Sequence, residues 1–130
     1  MSERPRLLLD TAAVIAIAGG QLPVAARKAY LDAKATIYIS VVSLWEIGIK
    51  TSLGKLPIPK PFVDFVRDWE TMERVVFLPL TGGPIQRLPD LPDVHRDPFD
   101  RLLVCQAMEL SAAILSPDTA FDGYGIERIW

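Results

Sequence analysis

Four acidic residues are spaced so that a folded sheet could bring them together. Asp10 directly follows an apolar run, Asp118 comes three residues after another, and Glu46 and Asp100 fall early in two helical segments. Clustered carboxylates repel one another, by roughly 4 kcal/mol per pair at about 4 Å and an effective dielectric of about 20. A divalent cation reverses this repulsion, and Mg²⁺ in particular prefers oxygen ligands. Together these residues could support metal-assisted phosphodiester hydrolysis, which needs no histidine or serine nucleophile.

Each acidic residue also has a purely structural explanation. Asp10 and Asp118 could cap the helices that follow them, and Asp100 could stabilise the dipole of its own helix from the first turn. Glu46 could pair with Lys50 four residues later, for about 0.3 to 0.5 kcal/mol if the pair is exposed. For any single residue this explanation competes well. The convergence of all four on one sheet edge favours a shared function.

Strands that alternate with helices are expected to position these acids. The apolar and β-branched runs predict strands at residues 6–9, 36–39, 75–78, 113–115 and 127–130. Helical segments are predicted at 11–18, 24–33, 41–53, 62–72 and 98–110, with short turns after Pro84 and at 118–121. This alternation indicates an α/β fold with a central, mostly parallel sheet flanked by helices. In such sheets ligands bind beyond the carboxyl ends of the strands, which is where the acids fall.

Glu46 is the most informative of the four acids. The helix predicted at 41–53 carries Val42, Trp45, Ile49 and Leu53 at helical spacing, and Glu46 lies in the same stripe. An ionised carboxylate is costly on an apolar face unless something compensates its charge. The stripe therefore predicts a buried Glu46 with a cationic partner.

Composition limits the alternatives. The chain has 130 residues, half of them apolar, which predicts one domain over residues 1–130. Its 14 basic and 16 acidic residues give a net charge of -2, so a metal ion would have to supply the positive charge for a nucleic-acid substrate. Cys105 is the only cysteine, so an intramolecular disulfide and a cysteine-based zinc site are excluded. We expect Cys105 to be a core thiol. With neither a secretory signal nor a membrane-spanning run, we expect a cytoplasmic protein with no membrane contact.

Four segments together resemble a known family. LLLDT at 7–11, SVVSLWEIGIKTSLGKL at 40–56, HRDPFDRLLVCQA at 95–107 and ILSPDTAFDGYG at 114–125 are similar to PIN-domain ribonucleases, specifically VapC-type toxins of toxin–antitoxin pairs. The resemblance covers nearly the whole chain in order, and HRDPFDRLL with SLWEI is a specific combination. It implies a PIN-like three-layer fold, a Mg²⁺ or Mn²⁺ site, and endoribonuclease activity on RNA. It also implies a homodimer and inhibition by a cognate antitoxin, whose tail would lie beside the helix at 41–53.

The resemblance assigns roles to the four acids by position. Asp10 in LLLDT, Glu46 in LWEI and Asp100 in PFDRLL look like the three core catalytic and metal-binding acids, and Asp118 in SPDTAF looks like the fourth, more variable one.

Three hydroxyls resemble residues that support the site. They are Thr11, Ser43 and Ser116, the last standing where the family usually has threonine. Ala12 departs from the pattern, because relatives often have a polar residue there, but no metal ligand is lost.

Other polar and aromatic residues have weaker signals. His95, the sole histidine, lies in a polar loop and is expected at the surface or behind the metal ligands, outside the chemistry. Lys50, Arg96 and Arg101 could contact RNA phosphates, but solvated charges at helix ends explain them equally well. The aromatic residues at helical positions are expected in the core or an interface. They are Trp45, Phe65 and Trp69.

Two other classes of function remain as alternatives. One is a different metal-assisted phosphohydrolase or receiver domain on a Rossmann-like sheet. A haloacid-dehalogenase-like phosphatase would need a second aspartate where Ala12 stands, and a receiver would need an aspartate after the third strand, where Leu78 to Thr81 has none. The other is a non-catalytic PIN scaffold that only binds, which would be expected to have lost some of the acids.

Overall fold

The sheet has five strands in the order β3-β2-β1-β4-β5, with β1 in the centre. The computed structural model describes residues 4–130. Residues 1–3, which belong to the predicted domain and to the N-terminal segment in which no secretory signal was predicted, lie outside the described residues. The strands are β1 (Arg6–Leu9), β2 (Thr36–Ser40), β3 (Val75–Leu78), β4 (Ala113–Leu115) and β5 (Arg128–Ile129). All four strand pairings are parallel, which confirms the predicted α/β class.

Within residues 4–130, six α-helices connect these strands. They are α1 (Thr11–Ala18), α2 (Val24–Leu31), α3 (Val41–Ser52), α4 (Phe62–Glu70), α5 (Gly82–Ile85) and α6 (Pro98–Leu110). Two short 3₁₀ helices, Leu88–Asp90 and Thr119–Tyr124, lie in segments predicted as a loop and a helical turn. The helix predicted at 24–33 ends at Leu31, because the backbone of Asp32 is extended. The predicted start of α6 is confirmed, since Asp97 accepts a hydrogen bond from the Phe99 amide at 2.8 Å.

Side chains of the central strand alternate between two apolar cores. Leu7 and Leu9 pack on one face of the sheet with residues of α1, α2 and α4, and Leu8 packs on the other face with residues of α6. The first core contains Phe65 and Trp69, as predicted. Cys105 on α6 is fully buried, which confirms the expected core thiol.

Helix α3 contributes side chains to both cores, because it begins directly after β2 and lies between the two cores at the end of the sheet. Val42 packs with the α6 core, while Leu44 and Ile47 pack with the other. Glu46 is 4% exposed and lies on this buried side. The helix thereby delivers a carboxylate to the carboxyl-terminal end of the sheet.

The predicted apolar stripe of α3 is wrong in its orientation. Trp45, Ile49 and Leu53 are 56%, 38% and 61% exposed, and Val42 is the only buried residue among the four apolar members of the stripe. Residues four apart form one row on a helix, and the row Val41, Trp45, Ile49 and Leu53 faces outward. We call these four residues the α3 ridge. Trp45 is therefore not a core residue; its ring packs edge-on against Phe99, with centroids 5.2 Å apart.

Within residues 4–130, none of the helices is long and apolar enough to cross a membrane.

Candidate metal centre

The four predicted acids meet at the carboxyl-terminal end of the sheet. Strands β2, β1 and β4 lie side by side there, and the strand order reverses between β1 and β4. Asp10 follows β1 directly, Asp118 follows β4, Glu46 lies on α3 after β2, and Asp100 lies in the first turn of α6. All four line one cleft of about 500 Å³. Asp97, Lys50 and Thr11 line the same cleft.

Asp10 is held by donors on both of its oxygens. Its Oδ1 accepts the Ala13 amide at 2.7 Å and caps α1, and its Oδ2 accepts the Ser116 hydroxyl. The Ser116 hydroxyl in turn accepts the backbone amide of Asp118 at 3.0 Å, so it links the ends of β1 and β4. Burial raises the pKa of Asp10 from 3.8 to about 6, although both hydrogen bonds oppose that rise.

Glu46 also has both oxygens occupied. The Thr11 hydroxyl donates to Oε1 and the Lys50 ammonium donates to Oε2, each at 2.6 Å. Lys50 is therefore the cationic partner that the burial of Glu46 requires. The structural explanation for Glu46, a pair with Lys50, is correct, and Glu46 also lines the cleft. Lys50 is 45% exposed and is the only basic residue lining this cleft in the part of the chain that the structure describes.

Asp100 differs from these two acids. Its carboxylate accepts no hydrogen bond from any group within residues 4–130. Burial, followed by repulsion from Asp97, raises its pKa from 3.8 to about 7; Glu46 and Asp10 add smaller repulsions, and His95 opposes the rise. Asp100 is thus a half-buried carboxylate without compensation, which is the environment that a bound cation would relieve.

Asp118 is the most exposed of the four carboxylates, at 42% of its side chain. Its Oδ1 accepts the Ala120 amide at 2.9 Å and its Oδ2 lies 2.8 Å from His95 Nε2. Partial burial disfavours its ionised form, but the hydrogen bonds from His95 and Ala120 outweigh that effect and lower its pKa below 3.8.

Of the two positions expected for His95, the surface is wrong. It is 8% exposed, its Nε2 contacts Asp118, and its Nδ1 lies 2.8 Å from the Tyr124 hydroxyl. The alternative position behind the metal ligands describes it better. Its place in HRDPFDRLL, five residues before Asp100, was the available signal, while Tyr124 gave none.

The tightest group of potential metal ligands differs from the predicted set. One ligand atom each of His95, Asp100 and Asp118 lie within 4.8 Å of one another. Asp10 and Glu46 line the same cleft but do not belong to this group. Carboxylates around such a cleft fit a hard divalent cation, which prefers oxygen ligands.

The predicted supporting residues have different surroundings. Thr11 and Ser116 donate to Glu46 and Asp10, as described above. Ser43 is fully buried on α3, but its hydroxyl has no hydrogen-bond partner between residues 4 and 130, so its role stays a prediction. Arg101 donates to the carbonyls of Pro92 and Leu88 and so holds the loop before α6, where a phosphate contact had been considered.

Comparison with known proteins identifies the family. Residues 7–127 match the family model of the PIN domain. The chain belongs to the PIN domain family. No curated protein matches the sequence of this chain.

Solved structures share the fold of this PIN domain at low sequence identity. The VapBC2 complex of Rickettsia felis, solved bound to a DNA fragment from its promoter, matches with a TM-score of 0.72 and 15% identity over 95% of this chain and 96% of that chain. FitAcB of Neisseria gonorrhoeae matches with a TM-score of 0.63 and 18% identity over 94% and 95% of the two chains. VapBC-1 of nontypeable Haemophilus influenzae matches with a TM-score of 0.58 and 16% identity over 95% and 96%.

Proposed function

We propose that this PIN domain is a Mg²⁺-dependent endoribonuclease and the toxin of a toxin–antitoxin pair, with Mn²⁺ as a possible substitute metal. One observation carries this function: carboxylates from four separate elements line a single cleft at the reversal point of a parallel sheet. Four acids are tolerated together when a cation neutralises them, and within residues 4–130 only Glu46 has a lysine or arginine side chain bonded to it. A purely structural role would not require this convergence.

The residues present fit a divalent metal. Asp10, Asp100 and Asp118 would hold it, with Glu46 beside them. A bound cation supplies an activated water and neutralises charge on the phosphate and the leaving oxygen. Asp100 gains most from such a cation, since its carboxylate has no donor among the described residues and its pKa is raised to about 7.

The other residues of the cleft prepare the carboxylates for this role. The Ser116 hydroxyl fixes one oxygen of Asp10, and the Thr11 hydroxyl fixes one oxygen of Glu46. Fixed rotamers reduce the reorganisation needed when substrate and metal bind. Lys50 supplies the positive charge nearest to Glu46 and faces the cleft, where a phosphate oxygen would arrive.

The choice of RNA as substrate and of a cognate antitoxin as partner rests on the resemblance to VapC-type toxins. The fold neighbours support it, because they include VapBC assemblies from two bacteria. A toxin of this kind would act in the cytoplasm. We place the antitoxin tail along the α3 ridge, which exposes Trp45 and Leu53.

A cleavage assay tests the metal mechanism. The purified protein is incubated with RNA in Mg²⁺, in Mn²⁺ and in chelator. We expect cleavage only with metal, loss of cleavage in Asp10→Asn, Glu46→Gln and Asp100→Asn, and a milder loss in Asp118→Asn. Asp122→Asn is the matched control, since Asp122 is an exposed carboxylate paired with Arg128. Full activity in chelator, or an active Asp10→Asn protein, would refute the mechanism.

Thermal melts test metal binding without any substrate. A ligand that binds only the folded state stabilises it by about 2.7 kcal/mol at 100 times its Kd. We therefore expect Mg²⁺ to raise the melting temperature of the wild type and to raise that of Asp10→Asn far less. Toxicity on induction, relieved by the product of a short neighbouring gene, tests the toxin class.

A further inference from the structure

His95 connects a buried tyrosine to a carboxylate of the candidate metal centre. Its backbone amide donates to the Tyr124 hydroxyl at 2.9 Å, and its Nδ1 lies 2.8 Å from the same oxygen. Its Nε2 lies 2.8 Å from Asp118 Oδ2. Its ring is stacked parallel to Tyr124 and packs against Phe121 with centroids 4.6 Å apart. The imidazole is therefore fixed in position and orientation.

The hydrogen bonds of Tyr124 select one tautomer of His95. The hydroxyl already accepts the His95 amide, and within residues 4–130 His95 Nδ1 is the only side-chain or backbone acceptor at hydrogen-bond distance from its single proton. If the hydroxyl donates to Nδ1, the ring proton must be on Nε2, where it points at Asp118. The opposite tautomer would leave the hydroxyl proton without that acceptor and would set a nitrogen lone pair 2.8 Å from a carboxylate oxygen.

We infer that His95 is a positioning residue that holds the Asp118 carboxylate toward Asp100 through an Nε2–H donor, and that it is neither a metal ligand nor a proton acceptor in the reaction. This inference rests on the proposed metal-dependent nuclease. Asp118 needs such a donor, because it is 42% exposed and lies at the start of a short 3₁₀ helix. The donor also offsets part of its negative charge beside Asp100.

Two substitutions of His95 distinguish the effect of its Nε2–H donor from the effect of its packing. In His95→Gln the side-chain amide can still donate toward Asp118, whereas His95→Leu removes the donor and keeps an apolar side chain against Phe121. We expect Mn²⁺ affinity, measured by titration calorimetry, to fall about 10-fold or more in His95→Leu and to recover most of that loss in His95→Gln. Equal affinity in His95→Leu and wild type, or equal loss in both variants, would overturn the inference.

A third variant keeps the test decisive if His95→Leu does not fold. Tyr124→Phe removes only the hydroxyl and leaves the ring stacked on His95. Without the hydroxyl, His95 should no longer be restricted to one tautomer, and we expect Mn²⁺ binding to weaken severalfold. Unchanged Mn²⁺ affinity together with an unchanged tautomer would contradict the proposed connection.

Spectroscopy of the sole histidine tests the tautomer directly. In ¹⁵N-histidine-labelled, metal-free protein we expect a single imidazole with a proton on Nε2. A ring that carries its proton only on Nδ1 would refute the inference. In the Mn²⁺-loaded protein, pulsed electron paramagnetic resonance should detect no directly coordinated imidazole nitrogen, and detection of one would make His95 a ligand.

The two proposals fail in different ways. If wild-type protein binds no Mn²⁺ and cleaves no RNA, the proposed function fails, whereas the tautomer of His95 can still be read in the metal-free protein. If wild-type protein binds Mn²⁺ and cleaves RNA but His95→Leu matches it in both, only the positioning role fails.

Discussion

Asp100 and Asp118 are neighbours in the cleft but respond to pH in opposite directions. Asp100 is half-buried without a donor, and its pKa is raised from 3.8 to about 7. The folded protein therefore holds this proton more tightly than the unfolded chain does, and stability falls as pH rises between these two values. The pKa of Asp118 is lowered, so its stabilising effect is present above its unfolded value and is lost as pH falls through the folded value.

The first prediction concerns Asp100→Asn in metal-free protein. At about pH 8 the substitution removes an uncompensated charge and should stabilise the fold by roughly 1 to 3 kcal/mol, after allowance for solvent screening. At about pH 4 both folded and unfolded wild type hold much of the proton, so the gain should largely vanish. Thermal melts in chelator at the two pH values measure the difference.

Asp118→Asn is the matched control for this prediction. It should lower the melting temperature at about pH 8, because the hydrogen bond from His95 favours the ionised carboxylate, and should have a smaller effect at low pH. A stabilising Asp118→Asn at high pH, or a destabilising Asp100→Asn, would show that the charge balance of the cleft is wrongly assigned.

A second prediction at this scale concerns Lys50. Its ammonium donates to Glu46 and also lies in the field of Asp97 and Asp100, which together raise its pKa. Lys50→Met removes the only basic side chain of this cleft in the described part of the chain. We expect Mg²⁺ affinity to rise about 3- to 10-fold at low ionic strength, with a smaller rise in high salt.

The control for Lys50→Met is Lys34→Met. Lys34 is exposed and lies just before β2, at the opposite end of the sheet from the cleft. Titration calorimetry should show wild-type Mg²⁺ affinity in this variant. If Lys34→Met and Lys50→Met changed the affinity equally, the effect would be one of overall charge, and the assignment to the cleft would fail.

At the scale of elements, α3 presents two different sides. Its buried side carries Glu46 to the cleft, and its outward row is the α3 ridge. A long apolar row exposed on one helix is typical of a binding surface for an amphipathic or extended partner segment. The same helix would then hold both a catalytic carboxylate and the inhibitor that covers it.

A third prediction tests this surface. Leu53→Asp places a charge on a ridge residue that is 61% exposed, and it should weaken binding of the proposed cognate antitoxin by about 10-fold or more. Ile85→Asp is the matched control, because Ile85 is 40% exposed on α5 and lies outside the ridge and the exposed apolar residues of α2 and α4. Calorimetry with the purified antitoxin measures both. Equal affinities for Leu53→Asp, Ile85→Asp and wild type would place the antitoxin elsewhere.

The sequence predicted the elements better than their orientation. Every strand was placed to within two residues at each end, because apolar and β-branched runs are a local signal. The outward orientation of the α3 ridge was missed. Two rows of α3, each made of residues spaced four apart, contain apolar side chains, and only tertiary packing determines which row is buried. The contact of His95 with Asp118 was also missed, because it joins residues 23 apart through a loop without periodicity.

At the scale of the whole molecule, exposed apolar side chains lie on more than one surface. Besides the α3 ridge, Val24 and Leu31 on α2 are 75% and 60% exposed, and Val63 on α4 is 60% exposed. The fourth prediction is a homodimer in which such residues are covered. Light scattering at micromolar concentration should give twice the mass of the chain. A monomer at that concentration would contradict the prediction.

The position of β1 in the middle of the sheet has a consequence for biosynthesis. Asp10 emerges early from the ribosome, but its partner Ser116 lies 106 residues later, and β4 must pair with β1 before Asp118 reaches the cleft. At about 5 to 20 residues per second, this interval lasts roughly 5 to 20 s. For a nuclease the delay acts as a safeguard: the nascent polypeptide bears Asp10 and Glu46 but no assembled cleavage centre. The proposed nuclease would therefore spare its own messenger until β4 has docked.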